Sequence, residues 1–396
     1  MRLCIANAKI LTPFEEKTGW VLVEDGKITA IESAGEIPAD AVKVDAKGSW
    51  LCPGFVDIHV HGGGGREAME GKADAILAMA NAHALHGTTT ILPTTLCASL
   101  VQTEQAVDAV KSAMKSPDRL ASIAGVHLEG PYLNPAQAGA QKPDRILTPA
   151  KHDWRWILQY DDVVRMAGIA PELDGAYEMA EALAERGVTV TAAHTDAEYG
   201  CMEEALNHGF SDITHLYSAC STVKRVKGFR VGGAVEAGLT LDGFTVQIIA
   251  DGCHLPPELI RLIYRCKCAD RIELITDALC FAASGLEDGS VVTDSVGTQM
   301  IYKDGVMKLM DEKAFAGSVA TTDRLIHTVC AAGIPLRDAV RMATDTPARR
   351  IGLTNKGRIA PGCDADLLLM NENLQVEWIM ANGRIIRDDL NSLGKG

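Results

Sequence analysis

Short apolar runs alternate with longer amphipathic stretches through the middle of the chain, and this rhythm carries most of the structural information. The β-like runs are Phe55–His61, Thr88–Thr95, Ile123–Glu129, Val164–Ala170, Val188–His194, Asp212–His215, Thr245–Asp251 and Ile272–Asp277. They have the length and apolar character of buried strands. Between most of them lie segments of helical periodicity, such as Asp74–His86 and Ala176–Arg186, which stop at Gly87 and Gly187 as helices commonly do. Eight strands alternating with helices over roughly 300 residues predict an α/β protein with a (β/α)8 TIM barrel. An open doubly wound sheet is the alternative, because alternation alone does not show closure.

The two ends follow a different rule. Gly19–Ile31 is a pair of apolar runs joined by Asp25-Gly26, and Val376–Ile386 is a second pair joined by Asn382-Gly383, the dipeptides that two-residue hairpin turns favour. A lone hairpin does not bury both its faces. The pattern therefore predicts a small β-sandwich domain built from both termini, residues 1–52 and 357–396, attached to a barrel of residues 53–356.

Composition narrows the class. At 396 residues the chain is long for one small core, and 47% hydrophobic with 23% charged residues is ordinary for a globular protein. No apolar run approaches the roughly 18 residues of a membrane span, and Met1-Arg2-Leu3-Cys4-Ile5-Ala6-Asn7 lacks a signal-peptide core, so the expectation is a cytoplasmic protein without a membrane partner. The 11 cysteines are odd in number and form no Cys-x-x-Cys pair, which suits reduced thiols. With 52 acidic against 38 basic residues the net charge is −14, which argues against nucleic acid. A small anionic ligand would need a local basic patch.

Candidate chemistry gathers at the ends of the predicted strands. Asp57-Ile58-His59-Val60-His61 closes the first, and strand alternation turns His59 and His61 to one face. Glu129 closes the third, His194 the fifth, His215 the sixth and Asp277 the eighth. In a TIM barrel all these ends open on one mouth. Six metal-competent side chains converging there are hard to explain as packing, because buried carboxylates and imidazoles are costly without partners. Imidazole and carboxylate without thiolate point to one or two divalent ions, Zn2+ first, with Fe2+, Mn2+ or Co2+ as alternatives. His83, His86 and His208 lie on helix-like stretches and read as solvated or capping, and His127 as structural. Gly62–Gly65 lacks a nucleotide-binding spacing and reads as backbone passing close to the metal. Ser318 is not in a Gly-x-Ser-x-Gly elbow, so Ala316-Gly317-Ser318-Val319 reads as a pocket-lining loop.

Taken together, Pro53-Gly54-Phe55-Val56-Asp57-Ile58-His59-Val60-His61-Gly62 and Lys356-Gly357-Arg358-Ile359-Ala360-Pro361-Gly362-Cys363-Asp364-Ala365-Asp366 resemble the opening and closing signatures of the amidohydrolase superfamily. His127-Leu128-Glu129-Gly130-Pro131-Tyr132-Leu133, Ala193-His194-Thr195, Thr214-His215-Leu216-Tyr217, Ala250-Asp251-Gly252-Cys253-His254 and Ile275-Thr276-Asp277-Ala278 resemble the N-acetylglucosamine-6-phosphate deacetylases in particular. Many relatives bridge two metals with a lysine after the fourth strand, but here that strand reads Arg165-Met166-Ala167-Gly168-Ile169-Ala170, and Glu129 takes the bridging role.

The resemblance implies that Glu129, His194 and His215 hold the principal metal and that His59 with His61 adds a second ion. It makes Asp277 the general base and then acid, and lets His254 hold the substrate and help polarise its amide carbonyl. Ala140, Gln141, Ser218, Ala219, Asp251, Gly252 and Gly317 carry over as substrate-binding positions. The implied reaction removes acetate from N-acetylglucosamine 6-phosphate. The galactosamine epimer is the nearest alternative, and an N-acyl-D-amino-acid or cyclic-amide hydrolase is a second. A non-enzymatic scaffold would have lost ligands that this chain keeps.

Two departures bear on the phosphate. The family usually reads His-Leu-Phe/Tyr-Asn-Ala-Met after the sixth strand, whereas this chain reads His215-Leu216-Tyr217-Ser218-Ala219-Cys220. The usual Arg-Glu-Pro-Gly loop is replaced by Lys224-Arg225-Val226-Lys227-Gly228-Phe229-Arg230-Val231-Gly232-Gly233. Arg225, Lys227 and Arg230 could hold a phosphate, although a solvated loop would read the same. In family members the matching arginine reaches a neighbouring subunit's site, so the resemblance also implies a homodimer.

Overall fold

A computed structural model describes residues 2–390; residue 1 and residues 391–396 of the expected terminal domain lie outside them. The chain opens with five strands, β1 (Arg2–Leu11), β2 (Glu16–Glu24), β3 (Lys27–Glu32), β4 (Val42–Asp45) and β5 (Trp50–Pro53). It continues through β6 (Phe55–Val60), a short ladder of β7 (Gly62–Gly63) and β8 (Arg66–Glu67), α1 (Ala73–Ala84), β9 (Thr88–Pro93), α2 (Leu100–Ala113), β10 (Ser122–Ile123) and β11 (Val126–Glu129). Next come β12 (Val164–Ile169), α3 (Ala176–Ala184), β13 (Thr189–Ala192), α4 (Tyr199–Asn207), β14 (Phe210–Ile213), a hairpin of β15 (Lys224–Val226) and β16 (Phe229–Val231), and α5 (Ala234–Thr240). Then follow β17 (Thr245–Ile249), α6 (Pro257–Lys267), β18 (Ile272–Ile275) and an antiparallel insert, β19 (Val291–Thr293), β20 (Gln299–Lys303), β21 (Val306–Leu309) and β22 (Phe315–Gly317). Helices α7 (Thr322–Ala331), α8 (Leu336–Met342) and α9 (Asp345–Arg350) lead to β23 (Leu367–Met370), β24 (Val376–Ala381) and β25 (Arg384–Asp388).

The two ends share one sheet, ordered β25-β24-β23-β5-β1-β2-β3, with β4 beside β1. Both hairpin turns sit where the sequence placed them: Asp25 and Gly26, like Asn382 and Gly383, have positive φ, as a two-residue turn of this type requires. Strand β23 joins the N-terminal strands by pairing antiparallel with β5. One face packs Leu3, Ile5, Ile10, Val21, Val23 and Ile28 against Leu367, Leu369 and Trp378.

The parallel strands form a curled sheet in two ladders, β10-β9-β6 and β11-β12-β13-β14-β17-β18. Strands β6, β9, β11, β17 and β18 are buried along their length, as expected of strands covered on both faces. The expected strand Ile123–Glu129 is broken in two, for a local reason. At Gly125 φ is +143° and an added Cβ would lie 2.3 Å from the Val163 carbonyl oxygen, so the chain passes from β9 to β12 at the one residue that can approach so closely. The ladders meet at both edges: Thr95 N–H donates to His127 O at 3.0 Å, and Asp277 N–H donates to His59 O at 2.9 Å.

Inside the curl lie Val56, Ile58, Leu92, Met166, Ile249 and Ile275, packed with Ala348 and Ile351 of and beside α9. This apolar plug leaves the C-terminal strand ends for polar chemistry. The insert β19–β22 has no counterpart in the expected alternation.

His83 corrects the sequence reading. It is fully buried on α1 rather than solvated, and its Nε2 donates to Gly62 O at 2.9 Å. The glycine run makes room for that contact, since a Cβ on Gly63 would lie 2.7 Å from the His83 ring. A Cβ on Gly62 would come within 2.6 Å of Arg66 O and the Cys280 backbone, neither of which can swing aside. We expect Gly62→Ala to lower stability by about 1–3 kcal/mol, as forced overpacking does. Gly200→Ala, on α4 with nothing within 4 Å of the added carbon, should be neutral or stabilising by up to about 1 kcal/mol. Urea unfolding of the two variants checks the contrast.

Candidate metal centre and substrate cavity

His59 lies within β6 and His61 just beyond it, while Glu129 is the last residue of β11. His194, His215 and Asp277 each sit two residues past β13, β14 and β18, where the sequence reading had them as the last strand residues. The strands stop early because these three adopt left-handed backbone, with φ of 45°, 30° and 47°. Such conformations are uncommon for non-glycine residues and cluster where surrounding structure enforces a function.

Glu129 is the hub. Its Oε1 is 2.9 Å from His215 Nε2, 3.2 Å from His194 Nε2 and 3.5 Å from His59 Nε2, and its Oε2 is 3.3 Å from His61 Nε2. Gln141 fixes the carboxylate, donating from Nε2 to Oε2 at 2.6 Å while its Oε1 accepts the Cys97 N–H at 2.8 Å. Asp277 Oδ1 is 3.1 Å from His61 Nε2 and 3.4 Å from His59 Nε2. Two triads, His59–His61–Glu129 and Glu129–His194–His215, each bring one ligand atom per residue within 4.8 Å of one another.

The outer nitrogens show what the inner ones are for. Each Nδ1 faces an oxygen: Gln247 Oε1 at 3.2 Å for His59, Thr94 O at 3.2 Å for His61, Gln137 O at 2.8 Å for His194 and Ser218 O at 3.0 Å for His215. Backbone carbonyls accept only, so at His61, His194 and His215 they hold the proton on Nδ1 and leave Nε2 as a lone pair directed at the centre, and the Gln247 amide oxygen does the same for His59. His59 Nε2 and His61 Nε2 are 3.3 Å apart. Two lone pairs facing each other beside two carboxyls fit a divalent cation.

The acid groups answer the same field. Burial opposes charge on Glu129, yet the imidazoles around it, His59 first, take it well below the usual carboxylate range. Burial likewise opposes charge on Asp277, and the nearby His61, His59 and His215 rings bring it below its ordinary value. Burial takes His59 down to about 4.

A cavity of about 200 Å3 opens over this cluster, walled by His61, Glu129, His194, His215 and Asp277 together with Ala140, Gln141, Ser218, Ala219, His254 and Gly317. Asp251 lies behind the wall, where Oδ2 holds His254 Nδ1 at 2.9 Å and Oδ1 accepts the backbone N–H groups of Cys253 and His254. Gly252 is also outside the lining. Arg225, Lys227 and Arg230 are not brought to the cavity of their own chain. They stand on the exposed hairpin β15–β16, where Arg225 and Arg230 pair directly across the ladder and Phe229 is 77% exposed. Closeness in sequence to His215 therefore did not translate into reach.

The sequence reading missed Leu96, Gly139, Ala314 and Phe315, which also line the cavity. Phe315 packs edge-on against His254, ring centroids 4.9 Å apart. Its neighbour Gly317 was the available signal, through the loop read as pocket-lining. Gln247, buried behind His59, carried none.

The sequence model of the amidohydrolase family matches residues 50–386. The chain is 29% identical over 392 residues to the N-acetylglucosamine-6-phosphate deacetylase of Bacillus subtilis (strain 168), covering 97% of this chain and 96% of that protein. It is 31% identical over 368 residues to the N-acetylgalactosamine-6-phosphate deacetylase of Escherichia coli O157:H7, covering 92% and 93%. Among solved structures, a variant of the Mycobacterium smegmatis N-acetyl-D-glucosamine-6-phosphate deacetylase in complex with N-acetyl-D-glucosamine-6-phosphate matches with a TM-score of 0.88 and 30% identity over 98% of this chain and 99% of that one. The chain belongs to the amidohydrolase family, and its relatives there are N-acetylhexosamine-6-phosphate deacetylases.

Proposed function

We propose that the protein is a metal-dependent deacetylase that hydrolyses N-acetylglucosamine 6-phosphate to glucosamine 6-phosphate and acetate. The observation that carries this reading is the Asp277 carboxylate at the floor of the cavity, beside two ligand triads that share Glu129. Glu129, His194 and His215 would hold one divalent ion and His59, His61 and Glu129 a second, with Zn2+ first and Fe2+, Mn2+ or Co2+ as alternatives. When bound, such an ion polarises the amide carbonyl and makes water acidic enough to attack at neutral pH.

The chain's own residues supply the rest. Asp277 is held below its ordinary carboxyl value, so it is ready to take the proton of the attacking water and then deliver it to the departing amine. With Nδ1 engaged by Asp251, His254 has Nε2 left to hold the substrate, and would polarise its carbonyl when that nitrogen also carries a proton. Ala140, Ser218, Ala219 and Gly317 give the cavity small side chains around the sugar, while Asp251 and Gly252 act from behind through the loop that bears His254.

Arg225, Lys227 and Arg230 would reach the phosphate of a second copy's substrate. Support comes from their position outside their own cavity, and from Val223, Val226 and Phe229, large apolar side chains left exposed on and beside the same hairpin. The active form is thus a homodimer. The galactosamine epimer is the second reading, favoured by the replaced loop and by the name of the Escherichia coli relative.

We read the curled sheet as a closed (β/α)8 barrel of residues 53–356, which the hydrogen bonds at both ladder edges support. Residues 1–52 and 357–396 would be the small β-sandwich domain. Among the described residues no helix is long and apolar enough to cross a membrane. All the cysteines are free thiols, which supports a cytoplasmic location.

Acetate release from N-acetylhexosamines with and without the 6-phosphate, across both C4 epimers, should be dominated by the phosphorylated glucosamine; inert phosphosugars throughout would sink the reading. Asp277→Asn should keep its metal, read by elemental analysis, while kcat falls by about 10²–10⁴-fold, the range of lost proton-transfer catalysis. The dimer is tested by mixing two inactive proteins, Asp277→Asn and a form with Arg225, Lys227 and Arg230 all changed to Gln. Partial activity should return on mixing, because one site of the mixed dimer then has both its aspartate and its partner's hairpin, and persistent inactivity would rule out the hairpin acting across subunits.

A further inference from the structure

Behind the cavity, away from solvent, a line of buried polar groups that the deacetylation chemistry leaves unused runs back from the outer nitrogen of His59. His59 Nδ1 is 3.2 Å from Gln247 Oε1, Gln247 Nε2 is 2.6 Å from Asp212 Oδ2, and Asp212 Oδ1 accepts the Thr245 hydroxyl at 2.7 Å. His59, Gln247 and Asp212 come from β6, β17 and β14 and are wholly buried. Glu273 on β18 continues the line and is met by Arg350 Nε at 3.3 Å. Burial, and then the charge of Asp212, raises Glu273 well above the usual carboxylate range.

Chemistry fixes the direction of each bond. The Asp212 carboxylate offers acceptors, so the Gln247 amide must turn its NH2 toward Asp212 and its carbonyl toward His59. The imidazole must then carry its proton on Nδ1 and present Nε2 as a lone pair. The two ends of a glutamine amide have nearly the same shape, so packing alone does not choose between its orientations. Reversed, it would set NH2 against Nδ1, drive the proton to Nε2 and block that nitrogen as a ligand. His61, His194 and His215 face no such ambiguity, because backbone carbonyls of Thr94, Gln137 and Ser218 orient them and cannot flip. His59 differs in having a reversible side chain as its orienting partner.

We propose that Gln247 and Asp212 are positioning residues that set the polarity of His59 and so govern the affinity of the His59–His61–Glu129 triad for a second divalent ion. The proposal rests on the metal-dependent reading above. Asp212 acts at two removes from the ligand, through the orientation of one amide.

The test is a Zn2+ titration of the metal-stripped full-length chain against a chromophoric chelator, with Co2+ absorbance as a second readout. Wild type should take up two ions. Gln247→Met, close in shape but without the acceptor, and Asp212→Asn should each weaken the second ion by about 10–100-fold, the usual effect of losing a ligand's orienting partner, and leave the first unchanged. The double variant Asp212→Asn/Gln247→Glu keeps an acceptor toward His59 and a donor toward Glu at 247 without changing total charge, and should restore the second ion. If Asp212→Asn does not fold, Gln247→Met carries the test alone, since it leaves Asp212 and Thr245 in place. Equal second-ion affinity in wild type and Gln247→Met overturns the inference, as does equal weakening of both ions or failure of a folded double variant to restore binding. A wild type that takes up one ion overturns it while leaving the deacetylase reading intact. Uptake of none, with turnover independent of metal, sinks both.

Discussion

Four imidazole nitrogens aim their lone pairs at a single buried carboxylate, and the rest of the molecule is organised around that demand for positive charge. Glu129 has almost no exposure, and His59, His61, His194 and His215 surround it within 3.5 Å. No apolar neighbour could satisfy such a cluster. A cation shared by these groups would resolve the electrostatics, and the same cation would be the reagent for hydrolysing an unactivated amide. Stability and chemistry thus meet on one residue.

The fold delivers this arrangement by separating its two interior ends. Apolar side chains fill one end of the curled sheet, down to Ala348 and Ile351, so the strands are pinned from below. At the other end His194, His215 and Asp277 leave the strand in left-handed conformations, which turns their side chains inward over the hub. Loops then close around them: Gln137 and Ser218 offer carbonyls to the histidines, while Gln141 ties the loop after β11 to Glu129 itself.

Much of this was legible in the sequence where the signal is local. Asp-Gly and Asn-Gly marked both terminal hairpins, because only such dipeptides accept two successive positive φ angles cheaply. The alternating runs placed every strand of the curled parallel sheet, and the strand-end histidines and carboxylates came together as their spacing suggested. Non-local features escaped. The break at Gly125 follows from a carbonyl contributed by Val163; the glycine itself was the only local sign of it, and its partner lies on another stretch of chain. His83 read as solvated because a helix has two faces, and the glycines that receive it lie on another element. The basic run 224–230 showed its charge but not its direction, which a hairpin sets through its register. Phe315 arrives on an insert whose short, half-exposed strands carry too little periodicity to announce themselves.

The shared terminal sheet has a consequence for how the protein is made. Lys27 and Asp364, 337 positions apart, form an ion pair, and β5, which lies beside β1 on one edge, finds its other neighbour in β23. On the ribosome the first five strands therefore emerge long before the strand that completes their sheet, and must wait, with Leu51 and its neighbours uncovered, while the entire curled-sheet body is synthesised and packs. A chain released early would present that open strand edge to other chains, which makes the last strands a checkpoint on completeness as much as a piece of architecture.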